Sequence, residues 1–131
     1  MIGLDTNVLV RFFMRDDHKQ HMRANTVMNS LSSAEPGWVG LAVLMELVWV
    51  LTSVYKVDRL SVLQILDQLL SKREIVIERA EVIRHATRIY RDTKVGFSDC
   101  LISASAQAAG CTETLTFDKD AAKAAGMTLV R

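Results

Sequence analysis

The sequence predicts an α/β fold with a short, mostly parallel sheet covered by helices on both faces. Short apolar runs such as Met1-Ile2-Gly3-Leu4, Ile75-Val76-Ile77 and Leu115-Thr116-Phe117 alternate with longer segments of helical period, the pattern of repeated strand–helix units. Half the residues are hydrophobic and 24% are charged, without repeats, low-complexity tracts or linkers. Disorder is excluded on that composition, and residues 1–131 read as one domain with a real core.

Each element has its own signal. The first strand ends near Leu4, and a helix follows from about Asn7 to Met14. A second runs from His18 to Leu31, with Ala24, Val27, Met28 and Leu31 at i, i+3, i+4, i+7 spacing. Asp17 and Gln20 fit a capping box at its start. The only proline, Pro36, precedes Gly37 in a loop leading to a strand around Trp38-Val39-Gly40. The next helix, through Ser53 or Tyr55, is apolar on nearly every side, and such a helix is expected to be buried. Ser61 with Gln64 marks another capping box, with Val62, Ile65, Leu66 and Leu69 as its stripe. Ile75-Val76-Ile77 reads as a buried strand. A helix over Ala80–Asp92 turns Ile83, Ala86 and Tyr90 inward, and Ser98–Ala109 forms a small-residue helix closed by Gly110. Glu113–Thr116 is a strand, Lys119–Ala125 a short helix stopped by Gly126, and Met127–Val130 the last strand.

The totals exclude several classes. A net charge of +1 gives no general pull toward nucleic acid, so any such surface must be local. Cys100 and Cys111 lack a pairing motif and no signal peptide is present, so both thiols read as reduced and buried in a cytoplasmic protein. The uncharged stretches beside Glu46 are too short to span a bilayer.

Four acids stand where an acid is costly or special. Asp5 follows the first strand, Asp99 opens a helix in Phe97-Ser98-Asp99, and Asp118 closes Thr116-Phe117-Asp118. Glu46 lies within the run Leu41–Leu51 with no basic residue a helical turn away. A buried unpaired carboxylate is expensive, and converging carboxylates repel unless a cation joins them. Singly, Asp5 reads equally as an N-cap and Asp99 and Asp118 read first as N-caps, and Asp120 competes with Asp118 as the fourth acid. Strand carboxyl ends are where sites gather in parallel α/β sheets. All-oxygen ligands suit Mg²⁺ or Mn²⁺, ions that serve in-line phosphodiester hydrolysis.

Arg11, Arg15, Lys19 and Arg23 form a basic cluster near the first acid, either a solvated surface or phosphate contacts for RNA. His18 and His21 sit in a polar helix start and read as solvated. The Met residues, Trp38 and Trp49 read as core.

In series, Met1-Ile2-Gly3-Leu4-Asp5-Thr6-Asn7, Leu44-Met45-Glu46-Leu47-Val48-Trp49, Phe97-Ser98-Asp99-Cys100-Leu101 and Leu115-Thr116-Phe117-Asp118 resemble the motifs of the PIN-domain family, and within it the VapC-type toxins of bacterial toxin–antitoxin pairs. The resemblance covers the whole chain in order and spacing. It implies a three-layer α/β/α sandwich and an endoribonuclease dependent on Mg²⁺ or Mn²⁺. It further implies Asp5, Glu46, Asp99 and Asp118 as metal ligands, and Thr6, Asn7 and Thr116 as neighbours of metal or substrate. A homodimer and a cognate antitoxin seated in an apolar groove belong to the same expectation. Phe117 stands where Arg is frequent in the family, and Ala121 where an aromatic is frequent, which bears on the fourth acid.

Three other readings compete. A receiver-like phosphoryl-transfer domain would need an Asp ending a central strand, where this chain has Glu78. A haloacid-dehalogenase-type phosphatase would need an Asp at the Asn7 position. A non-catalytic protein keeping the fold would bind metal without turnover.

Overall fold

The computed structural model describes residues 1–131, which pack as two compact units, Met1–Glu78 and Arg79–Arg131. The first unit contains β1 (Ile2–Gly3), α1 (Thr6–Phe13), α2 (His18–Ser30), β2 (Gly37–Val39), α3 (Leu41–Trp49), α4 (Arg59–Ser71) and β3 (Ile75–Ile77). Its strands are parallel in the order β1-β2-β3, with Gly3 opposite Trp38 and Trp38 opposite Val76. The strand period of two divides their side chains: Gly37, Val39, Ile75 and Ile77 are buried, whereas Trp38 and Val76 are 36% and 41% exposed. The strand over 75–77 is therefore buried on one face only, and Trp38 is not a core residue. Gly37 has a steric cause. A Cβ there would lie 2.8 Å from Leu4 Cδ1 and 2.9 Å from Leu31 Cδ1.

The helix after β2 departs from the expectation of all-round burial. Leu44, Leu47, Val48 and Leu51 are buried, but Ala42, Glu46 and Trp49 are exposed, Trp49 by 61%. From Val50 to Val54 the helix widens into a π-turn, with Tyr55 N–H donating to Val50 O at 3.2 Å. Thr52 sits at the change, its hydroxyl donating back to Val48 O at 2.8 Å, a contact that competes with the regular ladder. Helix α4 begins two residues before the predicted box, with Asp58, extended in backbone, at the N-cap position and making no side-chain cap bond.

The second unit contains α5 (Ala80–Asp92), α6 (Phe97–Ala108), β4 (Leu115–Thr116), α7 (Lys119–Ala124) and β5 (Thr128–Leu129), with β4 and β5 paired in parallel. Ile83, Ala86 and Tyr90 are buried as the helical period requires, together with Val82 and Thr87. Tyr90 meets Phe97 edge-to-face with centroids 5.6 Å apart, joining α5 to α6. Gly110 and Gly126 end their helices at φ +91° and +75°, backbone conformations that favour glycine. Cys100 is buried, but Cys111 is exposed, because it lies past the end of α6. No helix is long and apolar enough to cross a membrane.

Candidate functional site

In the first unit the chain leaves β1 through buried Leu4 and enters α1 at Asp5. Asp5 is the N-cap, with Oδ1 accepting the Thr6 N–H at 2.8 Å. Thr6 is 3% exposed, and its Oγ1 is buried with no hydrogen-bond partner. Such an orphan costs about 1–3 kcal/mol, an expense tolerated most readily where a ligand or ordered water completes the group. Asn7 is exposed in the same turn.

Glu46 lies on α3 and is exposed. Burial therefore does not oblige Glu46 to take a partner. Its face is the one shared by Ala42 and Trp49, at i, i+4, i+7, opposite the buried leucine stripe. What fixes α3 is a contact that no local pattern in the sequence signals. Glu78, just beyond β3, extends Oε1 to the Leu41 N–H at 2.8 Å, which supplies the side-chain cap that Gly40 lacks.

In the second unit Asp99 lies half-buried in the first turn of α6, behind the N-cap Gly96. It is not an N-cap. Asp118 is one, with Oδ1 accepting from Asp120 N–H at 2.8 Å and from Ala121 N–H at 3.2 Å. Thr116 supports it by accepting the Asp118 N–H on its hydroxyl at 3.0 Å. Asp120 is exposed in the first turn of α7. Ion pairs run Met1–Glu35, Arg11–Asp16, Lys72–Glu74 and Arg79–Glu81, so none consumes Asp5, Glu46, Asp99 or Asp118.

The donors suit a hard cation in kind. Asp5 and Asp118 each keep Oδ2 free of the cap, and the orphaned Thr6 hydroxyl adjoins Asp5. All are oxygens, the ligands Mg²⁺ and Mn²⁺ take. Within neither unit do three such side chains gather around one point. Asp5 and Glu46 stand in the first unit, Asp99 and Asp118 in the second.

The basic cluster divides. Arg11 donates through Nε to Gln20 Oε1 at 2.7 Å and through Nη1 to Asp16 Oδ1 at 3.1 Å and to the Tyr55 hydroxyl at 3.3 Å. Tyr55 in turn donates to Asp16 Oδ2 at 2.8 Å. That bond, helped by Arg11, holds the Asp16 carboxyl below its ordinary value, and it raises the Tyr55 hydroxyl above its own against the opposing pull of Arg11. Arg11 thus belongs to a network joining α1, the start of α2 and the π-turn. Asp17 caps α2 through Gln20 N–H at 3.0 Å as expected, but the Gln20 side chain serves Arg11 instead of closing the box. His21 Nδ1 lies 2.9 Å from Arg11 O, so it is not a solvated side chain. Arg15, Lys19 and Arg23 are exposed.

The fold and these motifs define a class of protein. The profile described as PIN domain matches residues 2–127, and the chain belongs to the PIN-domain family. Its fold class is the family's, α/β with short parallel strands. Among curated proteins it is similar to the "VapC ribonuclease" of Aquifex aeolicus (strain VF5), 28% identical over 116 residues, covering 88% of this chain and 86% of that one.

Proposed function

We propose that this protein is an endoribonuclease that hydrolyses RNA phosphodiester bonds and acts as the toxin of a toxin–antitoxin pair. The observation that carries the reading is the PIN-domain match over residues 2–127. The VapC ribonuclease similarity, across most of both chains, points the same way. Glu78 gives its carboxylate to the cap of α3, which disfavours a receiver-like role for the acid ending β3.

In this reading Asp5, Glu46, Asp99 and Asp118 are the ligands of Mg²⁺ or Mn²⁺. A bound ion of this kind supplies Lewis-acid polarisation of a phosphate oxygen and a hydroxide at neutral pH. The chain supplies position. Asp5 and Asp118 are fixed by capping their own helices, and Glu46 is carried on a helix capped by Glu78. Asp99 rides the first turn of α6, where the helix dipole stabilises its charge. Thr6, Asn7 and Thr116 adjoin these ligands, and Arg15 offers an exposed guanidinium to the RNA backbone. A homodimer and a cognate antitoxin complete the proposal. Exposed Trp49, Val54 and Leu60, at 61%, 58% and 64%, give the first unit apolar surface for protein partners.

Incubation of the purified protein with total cellular RNA tests the reading. Discrete fragments that require Mg²⁺ or Mn²⁺ and vanish with EDTA are expected. EDTA-resistant cleavage would count against it.

A further inference from the structure

Helices α1 and α2 enclose a groove of about 290 Å³ in the first unit that contains none of the four acids. Asn7, Arg11, Gln20 and Arg23 line it above an apolar floor that includes Val8 and Ala24. Its two guanidiniums are not equivalent. Arg11 is neutralised by Asp16 and held by Gln20 and Tyr55. Arg23 is exposed and takes part in no ion pair. The groove therefore carries one uncompensated positive charge, flanked by amide groups. At its Asn7 end it reaches the first turn of α1, two residues from Asp5.

We propose that this groove is a subsite for single-stranded RNA, in which Arg23 contacts a backbone phosphate and the apolar floor takes the face of the adjoining nucleotide. The assignment rests on the ribonuclease reading and deepens it. A guanidinium matches a phosphate with two parallel donors, and phosphate contacts set the register of a nucleic acid on its protein. Arg11 is a positioning residue. Its network ties α2 to α1 and so sets where Arg23 stands relative to Asp5. Continuity with the Asp5 turn favours RNA over an acidic peptide, since a strand cleaved at Asp5 must extend over adjacent surface.

The test uses the full chain carrying Asp99→Asn, to stop turnover, and a fluorescent single-stranded oligoribonucleotide of mixed sequence. Affinity is measured across a salt series. Arg23→Glu is expected to weaken binding about tenfold or more at low salt and to flatten the logarithmic salt slope by about 0.7, the loss of one single-strand phosphate contact. Arg23→Lys should restore part of the affinity. Arg88→Glu makes the same charge change on the exposed face of α5 and should leave the slope alone. An effect of Arg23→Glu no larger than that of Arg88→Glu, or no binding at low salt, overturns the subsite. So does intact RNA binding by Arg23→Glu with loss of a protein partner, which gives the groove to that partner. Failure of the ribonuclease reading shows separately, as the absence of metal-dependent RNA cleavage by the wild-type protein.

Discussion

Glu78 accepts the backbone N–H of Leu41 at 2.8 Å, although 37 positions separate them. The end of β3 thereby caps the helix that carries Glu46. Four N–H groups at a helix start lack intrahelical partners, and Gly40 offers no side chain to serve one. Glu78→Ala is expected to cost about 1 kcal/mol, the usual worth of an N-cap, with a further loss of activity through α3. Glu78→Gln, which keeps an acceptor but not the charge, should lose less. Urea midpoints of the two variants check this.

The four acids separate by what they do before any ion binds. Asp5→Ala and Asp118→Ala remove caps and should each lower stability by about 1 kcal/mol. Glu46→Gln alters an exposed side chain without an ion pair, so it should stay within about 0.5 kcal/mol of wild type. Thermal melts in EDTA distinguish the cases, and a large loss for Glu46→Gln would contradict the placement found here.

Gly37→Ala tests the seat of β1. Its methyl would crowd Leu4 and Leu31 at under 3 Å, and overpacking of this kind costs about 1–3 kcal/mol. Leu4 directly precedes Asp5, so cleavage should fall with stability. An unchanged melting temperature would show that the two leucine side chains yield freely.

The Tyr55–Asp16 bond sets a pH window. Asp16 is held below its ordinary 3.8, so its contribution is complete above that value and is lost as pH falls through the lower folded one. Tyr55 is raised above 10.0, so its contribution is complete below 10.0 and is lost as pH rises through the higher folded one. Tyr55→Phe should move the Asp16 titration upward, as followed by carboxyl NMR shifts, with a small effect on stability because the pair is exposed.

Much of this was legible in the residues. Asp17 as a cap, Gly110 and Gly126 as helix ends, and the inward set Ile83, Ala86 and Tyr90 follow from local chemistry and period alone. Glu46 was misplaced because the run around it is apolar throughout, which hides which face turns inward. The signal was present all the same: Leu44, Leu47, Val48 and Leu51 keep the helical period, and Glu46 lies off it. Asp16 and Gln20 lie near Arg11 in the chain, but Tyr55, which completes its network from 44 positions away, is beyond any local pattern. Glu78 as the cap of α3 is another long-range pairing that only the fold creates.

Single-turnover RNA cleavage with Mg²⁺ or Mn²⁺, comparing wild type with Asp99→Asn, decides whether these acids hold a catalytic ion. Asp99 caps nothing and forms no ion pair, so its substitution should cost no more than the helix-dipole contribution, about 0.3–1 kcal/mol, and leave the protein folded. The account predicts discrete fragments from wild type and a loss of about a hundredfold or more in the variant, as expected when a ligand of the catalytic ion is removed. Cleavage at the wild-type rate by folded Asp99→Asn would contradict it.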